Sequence, residues 1–146
     1  MVLPVTLVIA AACAVINIWL AVRLVRGRMK GKVMVGDGGD PALASGMRAH
    51  ANFIEYAPIV LILMALIELA RGPLVGLWIL GAVFVAARIA HPLGMGRAAP
   101  NAFRAGGAVG TWIVTLILAG WALAIVVGMD GGNGAITLAP VEAPRG

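Results

Sequence analysis

Apolar residues fall into four blocks along this chain, separated by short clusters of charge, glycine and proline. Residues 2–22 include no charge, and neither do residues 105–129. At about 1.5 Å of rise per residue, either block as a helix crosses a hydrocarbon layer about 30 Å thick. Residues 56–67 and 72–87 are also uncharged but shorter, so a spanning helix built on either must run on past charged neighbours. No water inside a bilayer satisfies bare backbone groups, which makes each block helical throughout and turns the flanking charges toward protein or water. The pattern predicts an all-α membrane protein, a four-transmembrane-helix bundle of antiparallel up-down topology, with helices over about 2–25, 41–70, 74–91 and 101–128.

The punctuation between blocks supports this reading. Gly36-Asp37-Gly38-Gly39-Asp40-Pro41 forms a turn in which Asp40 suits the N-cap of the second helix and Pro41 its first turn. Arg71-Gly72-Pro73 is a tight turn that makes helices two and three antiparallel neighbours. Pro92, Gly94, Gly96 and Pro100 are expected to break the chain into a loop before helix four, which starts close to Asn101. Pro58 lies inside helix two and removes one helical hydrogen bond near Glu55, so a local kink is expected there. Gly106 and Gly110 give helix four a G-x-x-x-G suited to close helix approach. Residues 1–146 read as one domain. Its last stretch, 130–146, has too little apolar surface to fold alone and is expected to be a flexible tail.

Composition sharpens the class. Of 146 residues, 62% are apolar and 12% charged, against about a quarter charged in a soluble domain. The net charge of +5 would suit nucleic acid, but most of the cations gather at two particular loops. Arg23, Arg26, Arg28, Lys30 and Lys32 follow the first block, and Arg88, Arg97 and Arg104 flank the connection between the third and fourth. The other side has Arg71 and Arg145. Positive-inside reasoning puts the two basic loops in the cytoplasm and both termini outside it. Membrane lipids, whose headgroups carry phosphate, are a sufficient partner for that charge, and no nucleic acid is expected. The first block lacks a basic lead and a small-residue cleavage site, so it reads as a retained helix rather than a signal peptide. Cys13 is the single cysteine, which excludes an intramolecular disulfide and a two-cysteine redox mechanism and leaves packing as its expected role. No metal site is expected, because His50 stands alone and Asp37 and Asp40 read as turn formers and caps.

The polar residues of helix two carry the chemistry. At 100° per residue, Arg48, Asn52 and Glu55 fall on one face within about 60° of one another. A guanidinium, an amide and a carboxylate at membrane depth are costly unless they meet each other, a neighbouring helix or a polar ligand, so a binding site is the default reading. The alternative is a structural ion pair between Arg48 and Glu55 that fixes helix register. His50 points away from Asn52 toward another neighbour or the interface. Glu68, on the face opposite Arg48 and near the external end, is expected to reach water. Asn17 is expected to make an interhelical hydrogen bond.

The arrangement R-x-x-x-N-x-x-E-Y-x-P, formed by Arg48, Asn52, Glu55, Tyr56 and Pro58, resembles the MAPEG family, the membrane-associated proteins of eicosanoid and glutathione metabolism. Arg48-Ala49-His50 and Arg88-Ile89-Ala90-His91 are similar to its prostaglandin E synthase branch. Arg97-Ala98-Ala99-Pro100 followed by Arg104 resembles the family's approach to helix four. The resemblance implies a homotrimer, in a bacterial member an integral protein of the inner membrane, that binds glutathione as co-substrate between adjacent subunits. By the same resemblance Arg48, Asn52 and Glu55, with Tyr56 beside them, hold the tripeptide. Arg26 or Arg28 adds a contact after helix one, His91 is a further candidate, and Arg104 is the catalytic arginine. Where the leukotriene C synthase branch has two tyrosines in helix three, this chain has His91 and Met95, and Met95 donates no hydrogen bond.

The expected activity is that of a glutathione-dependent transferase or peroxidase acting on lipophilic electrophiles. Two rivals stay open: a small transporter that uses Glu55 for proton coupling, and a non-catalytic membrane scaffold. Flux dependent on a pH gradient would mark the first; trimers without thiol chemistry would mark the second.

Overall fold

The computed structural model describes residues 2–98 and 100–130; the tail read from the sequence as flexible lies beyond Asp130, outside the described residues. Four helices follow one another: α1 (Pro4–Gly31), α2 (Pro41–Arg71), α3 (Val75–Met95) and α4 (Ala102–Asp130). Each is long and apolar enough to cross a membrane. Short connections fold them up and down into a bundle. α1 packs chiefly on α2 and α3 on α4, and α2 also touches both α3 and α4.

Local chemistry sets the helix ends. Asp40 accepts a hydrogen bond from Ala42 N (2.8 Å), with Pro41 at the first helical position. Asn101 Oδ1 caps α4 by accepting from Phe103 N (3.0 Å) and Arg104 N (3.3 Å). α2 stops at Gly72, whose φ of 79° lies in the region that favours glycine, and whose amide bonds the Glu68 carbonyl at 2.8 Å.

The start of α1 has a different solution, and it corrects the expectation for Glu68. Leu3, at the N-cap, offers no side-chain acceptor, so the first-turn amides need one from elsewhere. Glu68 supplies it across the bundle. Its carboxylate accepts from Val5 N at 2.9 Å, Thr6 N at 2.8 Å and Thr6 Oγ1 at 2.7 Å. The side chain is 1% exposed, not solvated, because the positive end of α1 is a better partner here than water.

The core follows helical stripes. Val5, Ile9, Cys13, Ile16 and Leu20 on α1 meet Phe53, Val60 and Met64 on α2, with Leu77, Phe84, Val114 and Leu118 from the other two helices. The outer surface is apolar too: Leu7, Val15, Ile18, Ile62, Leu66, Leu116 and Leu123 are all exposed, as lipid contact requires. Gly81, Gly94 and Gly107 allow the closest approaches between helices, a Cβ at Gly94 running into the Arg104 backbone. A Cβ at Gly81 would sit 2.6 Å from Ile9, and one at Gly107 would sit 2.6 Å from His91 N. The close approach of α4 to α3 therefore runs through Gly94 and Gly107, whereas Gly106 of the G-x-x-x-G faces open space.

α3 also departs from expectation, since it runs through Pro92 to Met95. Pro92 lacks the amide that would bond the Arg88 carbonyl. Packing on α4 compensates, with Gly94 lying directly against the Arg104 backbone and His91 bonded to the Arg104 carbonyl.

Candidate functional site

The chemistry-bearing residues lie where α2, α3 and α4 meet in the half of the bundle nearest the α3–α4 connection. The middle of this region is Arg88, which the sequence had suggested would flank a loop. It stands two turns inside α3 and is 2% exposed. Its Nη1 donates to Asn52 Oδ1 at 2.8 Å and its Nη2 to the Gly107 carbonyl at 2.9 Å. The guanidinium carbon lies 5.9 Å from the ring centres of both Tyr56 and Phe84, a cation–π setting. Among the described residues Nε has no partner and no carboxylate is hydrogen-bonded to the guanidinium, so its charge rests on an amide, a carbonyl and two ring faces.

Arg88 determines what Asn52 offers. With Oδ1 taken by the guanidinium, the half-buried amide keeps its two N–H donors for whatever lies beside α2. Tyr56 is set in a similar way. Its hydroxyl accepts from Trp112 Nε1 at 3.0 Å, which leaves its own hydrogen to donate.

The outer residues of the stripe behave differently. Arg48 and Glu55 are exposed on the face of α2 that continues into exposed Ile59, Ile62 and Leu66. Within 4.0 Å they form no ion pair with each other, so the register-fixing salt bridge weighed above is not made in the single chain. One chain thus brings Asn52, Tyr56 and Arg88 together but builds no cleft enclosing Arg48 and Glu55.

The remaining candidates are dispersed. His91, 7% exposed, lies against Arg104 O, with its Nδ1 3.1 Å away. Since a carbonyl only accepts, Nδ1 carries the hydrogen of this bond. The Arg104 side chain is exposed on the first turn of α4. Arg28 donates to Met34 O at 3.1 Å and approaches Met47 Sδ at 3.8 Å, while Arg26 is exposed on α1. His50 has turned to α1, where Nε2 meets Asn17 Oδ1 at 2.8 Å. Among the described residues no group of three or more His, Cys, Asp or Glu side chains is placed to hold a metal ion.

The sequence signal for Arg88 was present and was read as a helix-end charge flanking the loop. A lone cation in a helix otherwise apolar from Leu77 to Ala87 meets the same rule that singled out Arg48 and Glu55.

The profile of the MAPEG family covers residues 6–124, which includes the whole constellation. The inner membrane protein YecN of Escherichia coli strain K12 is 35% identical over 95 residues, which is 65% of this chain and 72% of that protein. YecN of Escherichia coli O6:H1 matches to the same extent.

Proposed function

The chain belongs to the MAPEG family, and on that premise we propose that it is a glutathione-dependent membrane transferase or peroxidase that works on lipophilic electrophiles as a homotrimer. One observation supports this most: the donors and acceptors left free around Asn52 match glutathione. Asn52 has two N–H groups to give, Tyr56 one O–H, Arg48 a whole guanidinium, and Glu55 a carboxylate. Glutathione has two carboxylates and one ammonium, and that set complements it.

The exposure of Arg48 and Glu55 favours assembly. Facing lipid they would each be costly; covered by a second copy, with a polar ligand between, they are satisfied. In such an assembly Arg26 or Arg28 from after α1, with His91 and Arg104, would complete the site. Arg104, exposed and close to the membrane boundary, would act on sulfur. A cation beside a thiol lowers its pKa from about 8.5 toward neutrality, and the thiolate is the attacking species. An electrophile dissolved in the bilayer would reach it sideways between helices. The relative YecN is named an inner membrane protein; we place this chain there too, with both termini outside the cytoplasm by the distribution of its cations. Glu55 lies on an outer face rather than in a channel through the bundle, so the transporter reading has no observation in its favour.

The test is calorimetric titration of reduced glutathione into the detergent-solubilised protein, with its mass in solution measured alongside. Binding to a trimer that is abolished by Arg48→Ala together with Glu55→Leu is expected. Unchanged affinity in that variant would reject the assignment.

A further inference from the structure

A second site lies within the single chain, at the end of the bundle where the cations collect. A funnel of about 390 Å³ opens between α1, α2 and the end of α3. Its floor is apolar and closed, made by Leu20, Ala49 and Pro92, all buried. Its walls narrow where Gly27 faces Leu43 and Gly46 faces Leu24, each placed so that a Cβ would stand 3.2 Å from the opposing leucine. At the exposed mouth stand Lys30, Asp40 and Ala42, with exposed Arg23 one turn above the floor. None of these residues belongs to the proposed glutathione site.

Depth and charge identify the occupant. Arg23 follows Pro4 by about 28 Å of helix, close to the thickness of the hydrocarbon layer, so the mouth stands in the headgroup region. The Arg23 guanidinium lies 5.1 Å from the Trp19 ring centre, a pairing suited to that boundary. Met29, Met34 and Val35 at the same end are 74%, 91% and 88% exposed, as interfacial residues would be. Asp40 caps α2 through Ala42 N, and with Arg23 and Lys30 facing one carboxylate the mouth stays net basic. A narrow apolar floor under a net basic mouth fits a molecule with an anionic head and a hydrocarbon tail. We propose that this funnel holds one acidic phospholipid per chain, its phosphate between Arg23 and Lys30 and the start of an acyl chain against Leu20 and Leu24.

Native mass spectrometry of protein released from nanodiscs of equal phosphatidylglycerol and phosphatidylethanolamine reads this directly. The expected result is one phosphatidylglycerol retained per chain in preference to phosphatidylethanolamine. Arg23→Gln with Lys30→Gln should lower retention about tenfold, and Ala42→Phe, which keeps every charge but fills the mouth, should do the same. Lys32→Gln, a cation of the same end outside the funnel, should leave retention unchanged. Equal retention of the two lipids, insensitivity to Ala42→Phe and the double variant, an equal loss with Lys32→Gln, or displacement of the lipid by glutathione would each overturn the proposal.

Discussion

Among the described residues two charged side chains are almost completely buried, and they are satisfied to very different degrees. Glu68 has three hydrogen bonds of 2.7–2.9 Å on the first turn of α1, where the helix supplies both the donors and a favourable dipole. Arg88 has two, to an amide and a carbonyl, with one nitrogen left over. A charge that is fully met by its own chain is structural, because nothing remains for a ligand to do. A charge that is held in place yet incompletely neutralised sets the field and the hydrogen-bond polarity of what lies next to it. In this molecule that neighbour is Asn52, then the face of Arg48 and Glu55.

Substitutions that treat the two charges alike should therefore give opposite outcomes. The largest effect is expected from Glu68→Ala, which leaves two backbone amides and a hydroxyl at the start of α1 without an acceptor. A loss of about 3 kcal/mol is expected, read as a lower unfolding midpoint in detergent, with glutathione affinity of the folded fraction unchanged. Reduced affinity at full folding would erase the distinction. Next comes Arg88→Met. Replacing a poorly compensated buried cation by an apolar side chain of similar length should cost little stability, while glutathione binding falls about tenfold as Asn52 loses its orientation. A thermal midpoint that drops as far as for Glu68→Ala would show Arg88 to be structural as well. The smallest effect is expected for Trp112→Phe, which removes one hydrogen bond to Tyr56. About 1 kcal/mol, or roughly fivefold in glutathione affinity, is expected; a larger loss would mean that Tyr56 rather than Asn52 is the main contact.

Much of this was visible in the residues alone. Uncharged runs and their Asp40-Pro41 and Gly72-Pro73 punctuation marked four spans, because lipid leaves a backbone few alternatives. The identity of the Asn52, Glu55 and Tyr56 face was also legible, since helical spacing alone places those side chains together. What stayed hidden depends on contacts between distant segments. Glu68 looked solvated because its partners, Val5 and Thr6, lie at the other end of the sequence from it. Arg88 looked like a helix-end charge beside a loop because Pro92 suggested an earlier helix end, and only the packing of Gly94 and Gly107 against their opposite helices shows how α3 continues. Arg48 and Glu55 were read as part of a binding site, and a single chain leaves them on its surface.

The central claim is that Arg88 turns Asn52 so that its N–H groups face a glutathione carboxylate, and Asn52→Asp tests it most directly. That change keeps an acceptor for Arg88 and strengthens it, but removes both donors from the outer face. Titration with reduced glutathione, alongside thermal unfolding, should show unfolding at the same or a higher temperature and affinity reduced at least about tenfold. Affinity equal to that of the unaltered protein in a folded Asn52→Asp variant would contradict the account.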